Sequence, residues 1–391
     1  LSAQLLFNST DPTPIPTPTP IPTPTPTPAP SDPAHDYGAA LGLSFLFYEA
    51  NRSGDLDEAS NRIPWRGDSG LDDGRDGIFF GSATADNLQA ELSFDLSGGY
   101  HDAGDHVKFG LPLASTLSTL AWGGITFSSG YDVAGEMNAL LDAVRWGTDY
   151  LLKAQGLDSN GDTTFFIAQV GDGETDHALW SAPEEQNIPR PAMAVTPDKP
   201  GSDVAGASAA ALAAASILFR EQGDITYANT LLERSESLFS FADQFRGRYS
   251  DSIPEVQSFY NSWSGFNDEL AYGAAWLARA LDSAGLDGTN YRAKAQRLYE
   301  QSIGGLNNGW THNWDDASYA TAVLLAEDTG DAAALNDIEN WLNSWVDGTN
   351  GVTITDGDLR YISPWGSLRY AANTAFLAGV VADKLIDPDG R

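Results

Sequence analysis

Hydrophobic residues recur at helical spacing along most of the chain, and segments apolar on nearly every face alternate with segments apolar on one face only. Tyr37 to Asn51 is apolar on most sides and predicts a buried helix. Ala134 to Gln155 repeats Leu140, Leu141, Val144, Leu151 and Leu152 at helical spacing, and Asp203 to Arg220 is nearly all small or apolar. Ile225 to Phe245 is amphipathic, with Tyr227, Leu231, Leu238, Phe239 and Ala242 on one side. Asn267 to Asp282, Asn290 to Ile303, Asp316 to Glu327, Ala332 to Trp345 and Gly366 to Leu385 continue the series. Strand patterns are scarce. An inner ring of buried helices inside an outer ring of amphipathic ones produces this alternation, so the pattern predicts an all-α fold, an α/α barrel with about ten or eleven major helices. Loops at one end of the inner helices would then form a cleft, and the loops here are long and rich in polar and aromatic residues.

The N-terminal region breaks the pattern. Proline occupies every even position from Pro12 to Pro30, alternating with Thr, Ile or Ala, which fixes φ and removes amide donors. As polyproline II this stretch would extend roughly 60 Å. Residues 11–33 therefore read as a semi-rigid linker, residues 1–10 as the remnant of an upstream segment, and residues 34–391 as one large globular domain. The linker implies a second module upstream.

Composition narrows the function. The 391 residues carry 21 Lys and Arg against 54 Asp and Glu, a formal net charge of −33. That balance argues against nucleic acid or an anionic membrane as partner, whereas a neutral polymer or a cation is not repelled. Cysteine is absent, which excludes disulfides and thiolate chemistry. The Ala-rich run from Val204 to Phe219 reads as too short and too small in side chain to span a bilayer.

The chemistry concentrates in Ser97 to Ala114, SGGYHDAGDHVKFGLPLA. Asp102 and Asp105 are separated only by Ala103 and Gly104, with Tyr100, His101, His106 and Lys108 close in sequence. A D-x-x-D in a Gly-rich loop is often no more than a turn or helix cap. The alternative is a turn, freed by Gly104, that presents both carboxylates in one direction. Two like charges so close push their pKa values apart, so one carboxylate can activate water while the other orients it. Trp180, Trp263, Trp310, Trp314 and Trp365 fall in or beside loops, where flat apolar rings can stack on sugar rings.

GGYHDAGDHVKFGLP resembles the signature of the glycoside hydrolase family 9 cellulases. The likeness extends from about Tyr37 to Leu385. It includes FYEANRSGDL, IPWRGDSGL, QVGDGETDH, RPAMAVTPDKPGSDVAGASAAALAAAS, SFYNSWSGFNDELAYGAAWL, WDDASY and PWGSLRYAANTAFLAG. The resemblance implies an (α/α)6 barrel, here incomplete at its C-terminal end, and a secreted, extracellular, inverting endo-β-1,4-glucanase acting on cellulose or cello-oligosaccharides. Asp105 would be the general base and Asp102 would hold the water. His177, Trp180, Tyr260, Trp263, Trp310, Trp365, Arg369 and Tyr370 would bind sugar. Ser264, Gly265, Asp268, Glu269 and Asp315 or Asp316 would hold a structural calcium ion, for which carboxylates and carbonyls are suitable hard ligands. The family's general acid, a glutamate in an Asn-Glu pair, matches no position in this chain and is expected beyond Arg391. Glu184 and Glu185 are weak substitutes. A glycan binder without catalysis, and the same barrel acting on mixed-linkage glucan or xyloglucan, are the competing readings; a monomer is expected.

Overall fold

The computed structural model describes residues 35–57 and 61–386, so the N-terminal remnant and the Pro-Thr segment lie outside the described residues. Helices dominate: α1 (Tyr37–Ala50), α2 (Gly110–Thr126), α3 (Ser128–Ala134), α4 (Met137–Lys153), α5 (Gly173–His177), α6 (Ser202–Glu221) and α7 (Ile225–Gln244). They continue with α8 (Tyr249–Ser252), α9 (Asn267–Ser283), α10 (Thr289–Leu298), α11 (Ser318–Thr329), α12 (Ala332–Asp347) and α13 (Ser367–Val381).

Helix α6 packs against α2, α7 and α9; α9 packs against α10 and α11, and α11 against α12 and α13. The inner row is therefore α2, α6, α9, α11 and α13, with α4, α7, α10 and α12 outside it, which is the double ring that the hydrophobic pattern predicts. Ser202 to Phe219 is buried without interruption in α6. At 20 residues this helix is long and apolar enough to cross a membrane, longer than the sequence suggested, but its apolar window is wholly buried inside the protein. Small residues let it do so. A Cβ on Gly273 of α9 would meet the Gly206 carbonyl of α6 at 3.0 Å, so these two helices touch backbone to backbone. Inside the ring Trp122 of α2 stands edge-on to Trp276 of α9 and to Phe376 of α13, at 5.4 and 5.6 Å. Trp276 and Trp341 are buried.

Two features depart from the sequence reading. Helix α2 is absent from the predicted series; its Pro112, Ser115, Thr116, Thr119 and Leu120 form one half-buried face, and Pro112 sits within the first turn where a missing amide costs nothing. The second is a six-stranded sheet: β1 (Ile78–Phe80), β2 (Leu88–Gln89), β3 (Lys108–Phe109), β4 (Gln155–Leu157), β5 (Thr163–Val170) and β6 (Ala192–Val195). A separate hairpin pairs β7 (Thr353–Ile354) with β8 (Arg360–Tyr361). All but β5 are two to four residues long, too short for alternation to register. The sheet nevertheless places the site: β3 pairs antiparallel with the end of β5, setting Lys108 opposite Val170 and Phe109 opposite Gln169.

Candidate active site

The β3–β5 pairing brings the loop before β3, which carries both aspartates, alongside the loop after β5, which leads into α5. That short helix starts on Asp172, whose side chain accepts from the Thr175 N–H at 2.9 Å, and ends on His177. His177 Nε2 consequently lies 2.7 Å from Asp105 Oδ2, while the Val107 N–H donates to Asp105 Oδ1 at 2.9 Å. The Tyr260 hydroxyl donates to Asp102 Oδ2 at 2.6 Å, and the Asp102 N–H donates to the Val107 carbonyl at 2.9 Å, closing the turn. The Asp105 carboxylate thus keeps one backbone donor and one distant side-chain partner, while the Asp102 carboxylate is held by the distant Tyr260 hydroxyl.

Burial raises both carboxyls above the usual aspartate range. For Asp102 desolvation is the largest cause and the Asp105 charge adds to it, against the Tyr260 hydrogen bond, and the result is a pKa of about 6. For Asp105 desolvation again leads, opposed chiefly by the His177 hydrogen bond. The like-charge effect expected from the spacing exists, but burial outweighs it. The glycine argument also needs correction. Gly104 has no left-handed φ, and a Cβ on it would meet nothing. The positions that demand glycine are Gly98 and Gly99, at φ 96° and 72°, the latter pressed against the Tyr150 ring.

Of the neighbours crowding Asp102 in sequence, Tyr100 and His101 reach the cavity on which it opens but are tied down by other partners, and Lys108 points into the interior. Lys108 is fully buried, pairs with Asp73 at 2.7 Å and donates to the carbonyls of Leu96 and Gly98. Tyr100 donates to the Ala143 carbonyl. His101 bridges the His106 carbonyl and the Ser69 hydroxyl. These groups shape the loop from beneath.

Asp102 opens on a cavity of about 620 Å³ lined by Ala103, Tyr260, Trp314, Arg369 and Asn373 among others. Its aromatic wall is continuous: Phe109 and Trp314 flank Tyr260 at 4.7 and 4.9 Å, and Trp263 lies 5.7 Å from Trp314. Trp180, Trp263 and Trp365 are exposed, at 96%, 67% and 82%, which leaves their faces open to a ligand. Trp310 is half-buried and stacks at 4.9 Å on Tyr370. Tyr370 itself is buried, with Arg369 donating to its hydroxyl at 3.0 Å, so it backs Trp310 instead of facing a groove. Trp314 joins the site as one of the loop tryptophans, and Asn373 and Phe259, whose ring lies 4.8 Å from that of His177, join it without having been singled out. Glu184 is tied up by the Arg66 guanidinium and the Gly67 N–H, away from the aspartates.

Of the residues expected to hold a cation, Ser264 lies within reach of both Asp268 and Asp315. Asp315 Oδ1 accepts from the Trp263 N–H at 2.8 Å, Asp268 Oδ2 from the Ala317 N–H at 3.0 Å, and the Ser264 hydroxyl reaches both the Asp315 carbonyl and Asp268. Gly265 provides the turn at φ 106°. Asp268, Glu269 and Asp315 are buried, and among the described residues no ion pair reaches them. Burial raises the carboxyls of Asp268 and Glu269, with Asp315 adding to it at Asp268 and the Asp268 charge adding to it at Glu269, and Asp315 rises to about 6, chiefly by burial. Glu269 Oε2 is buried with no partner, an orphan that a hard cation would satisfy. Among the described residues no three acidic or histidine side chains converge on one point, so a cation here would draw on backbone carbonyls as well.

Residues 37–390 match the glycosyl hydrolase family 9 model. The chain belongs to that family. It is 42% identical over 364 residues to "Endoglucanase A" of Bacillus pumilus and 40% identical over 363 residues to "Endoglucanase B" of Cellulomonas fimi. These alignments cover 92% and 91% of this chain but only 51% and 32% of the relatives, so the chain spans about half of their length or less. Among solved structures it is similar to the endoglucanase of the termite Nasutitermes takasagoensis, at 40% identity and a TM-score of 0.78, covering 91% of this chain and 75% of that one. It is also similar to the cellulase Cel9M of C. cellulolyticum in complex with cellobiose, at 33% identity and a TM-score of 0.76, with 90% and 75% covered. The family 9 double ring is the (α/α)6 barrel, and the inner and outer rows described above follow it.

Proposed function

We propose that this chain is the catalytic part of a secreted endo-β-1,4-glucanase that hydrolyses cellulose and cello-oligosaccharides with inversion. The observation that carries the reading is the paired constellation: Asp105 against His177 and Asp102 against Tyr260, beside an aromatic-walled cavity. The names of the relatives and the cellobiose bound to Cel9M support the substrate class.

In this reading a water lies between the two aspartates. Asp105, steered by His177, takes its proton as the water attacks the anomeric carbon from the face opposite the leaving sugar. Asp102, fixed by Tyr260, holds the water in line. An inverting site keeps its acid about 6.5 to 9.5 Å from its base so that water fits between. Among the described residues lining the cavity Asp102 is the only acid, so protonation of the leaving oxygen calls for a group outside that lining. Trp263, Trp310, Trp365 and Trp180 would grip successive sugar rings, with His177, Tyr260 and Arg369 supplying polar contacts. The exposure of three of those tryptophans supports an open groove suited to a polymer. Asp268, Glu269, Asp315 and the carbonyls of Ser264 and Gly265 would hold a calcium ion that ties the segment before α9 to the one before α11. A monomer, joined through its Pro-Thr linker to a carbohydrate-binding module, completes the proposal.

The test is Asp105→Asn. The amide keeps the shape but cannot accept the proton, so hydrolysis of cellohexaose should fall by at least about 10²-fold with binding retained. Proton NMR of the first product formed by the unaltered protein should show the α-anomer. A β-anomer, or turnover undiminished in Asp105→Asn, would remove Asp105 from the role of base.

A further inference from the structure

His106 directly follows the base, and side chains from elsewhere hold both of its peptide groups. Its N–H donates to Asp176 Oδ1 at 3.0 Å. Its carbonyl accepts from an Arg190 guanidinium nitrogen at 2.8 Å and lies 2.9 Å from His101 Nδ1. The loop that carries Asp105 is therefore clamped at the first peptide after it, from above and below.

Asp176 does more than cap an amide. It is 1% exposed, and its second oxygen accepts from Gln186 Nε2 at 2.8 Å. Gln186 in turn accepts from Arg190 at 3.0 Å, and Arg190 is anchored on Asp73 at 2.6 and 3.1 Å. Asp176 also immediately precedes His177 in α5. One residue thus couples the two halves of the site: its carboxylate grips the peptide after Asp105, and its backbone carries the imidazole that meets Asp105 at 2.7 Å. The residues required are scattered over the loop before β1, the loop before β3, α5 and the segment before β6, which is more than the folding of any one loop demands.

We propose that Asp176 is a positioning residue that locks Asp105 against His177 and holds the base in register with its water. This rests on the reading of Asp105 as the base. The Asp176 charge has a second effect, since its repulsion helps keep the Asp105 carboxyl above the usual range, behind burial as the larger cause. The titratable and charged groups facing this pair are His177 on α5, Asp102 and His106 on the loop itself, Tyr260 across the cavity and Arg190 beneath.

The experiment uses the full chain and β-cellobiosyl fluoride, whose leaving group needs no acid. Water oxygen bonds to the anomeric carbon, the C–F bond breaks with its electron pair leaving as fluoride, and the water's proton passes to Asp105. Asp176→Ala removes both charge and tether, and should lower kcat by about 10- to 100-fold with KM within about twofold, the signature of a misplaced base. Asp176→Asn keeps an oxygen for the His106 N–H, so it should recover much of that kcat. It also lowers the Asp105 pKa by removing a negative neighbour, so the acid limb of kcat/KM should move to lower pH by up to about one unit. A ¹³Cγ NMR titration of Asp105, assigned by the signal lost in Asp105→Asn, reads the same displacement with no turnover and stands even where Asp176→Ala does not fold. An acid limb and an Asp105 titration both unmoved in Asp176→Asn would overturn the proposal, as would an undiminished kcat in a folded Asp176→Ala. Fluoride hydrolysis undiminished in Asp105→Asn instead overturns the base assignment, leaving the NMR titration to decide on Asp176.

Discussion

Asp73→Asn tests whether the site stands on its buried charges. Asp73 is 3% exposed and holds two cations at once, Lys108 at 2.7 Å and Arg190 at 2.6 Å. The substitution preserves volume and leaves Lys108 in the interior without an anion and Arg190 with only Asp176, at 3.9 Å. Removing one partner of a buried pair costs about 3–5 kcal/mol, and since Asp73 serves two partners the loss at pH 7 should sit near about 5 kcal/mol. That is a large share of the roughly 5–15 kcal/mol that holds a typical fold. Lys108 provides the internal control. Burial, with Asp73 only partly offsetting it, lowers its pKa from 10.5 to about 8. The folded chain therefore binds fewer protons at Lys108 than the unfolded chain does between those values, and this group's contribution to stability rises with pH across that window. Without Asp73 the Lys108 pKa falls further, so the window opens at lower pH. The stability gap between the unaltered chain and Asp73→Asn should narrow as pH rises to about 8, the Lys108 pKa of the unaltered chain, and stay level above it. Adding Lys108→Met to Asp73→Asn removes one stranded cation and should restore about 2 kcal/mol. Urea unfolding followed by tryptophan fluorescence measures all of these. A loss under about 1 kcal/mol at pH 7, or a gap that widens with pH, would refute the reasoning.

Three further outcomes follow from the packing and the polar clusters. Chelation by EDTA should lower the melting temperature and added calcium should restore it, since free calcium at about 100-fold its Kd stabilises by roughly 3 kcal/mol; unchanged melting, with no calcium found by metal analysis, would rule out the ion. Gly273→Val should force α6 and α9 apart, because its Cβ already meets the Gly206 carbonyl and the Phe239 ring at 3.0 Å, and a cost of about 1–3 kcal/mol in urea unfolding is expected. Trp365→Ala should leave unfolding unchanged, as the ring is 82% exposed, while weakening cellohexaose binding in calorimetry by about 1 kcal/mol; equal affinity would take Trp365 out of the groove.

What the sequence could show depended on how far apart the interacting residues lie. The Ala-rich run of α6 and the one-sided stripe of α7 are local patterns, and each became the helix its periodicity predicted. Helix α2 was passed over because Pro112, Ser115, Thr116, Ser118, Thr119 and the Gly123–Gly124 pair are poor helix formers that mask its spacing, whereas α6 is a run of alanines. Asp102 and Asp105 were visible as a pair, but their partners were not derivable from spacing: Tyr260 is 158 residues from Asp102, and His177 is 72 from Asp105. Only the resemblance supplied those names. Lys108 shows the opposite error, since closeness in sequence suggested a role beside the aspartates while the strand alternation of β3 turns it into the interior toward Asp73.

The small sheet explains why these errors fall where they do. Ring packing among helices fixes the barrel with aliphatic and aromatic contacts that tolerate substitution of similar volume. The reacting groups instead hang on short strands and on charges that meet across more than a hundred residues, as Arg190 meets Asp73. A two-residue strand such as β3 has too few ladder bonds to hold its register alone. The buried Asp73–Lys108–Arg190 triad and Asp176 supply what the ladder lacks, since a shift by one residue would send Lys108 to the opposite face and strand its charge. Register in β3 and the placement of Asp105 are in this way one constraint, so Asp73→Asn should disturb the Asp105 titration even under conditions where the chain stays folded, whereas Gly273→Val, acting between helices, should lower stability and leave that titration in place.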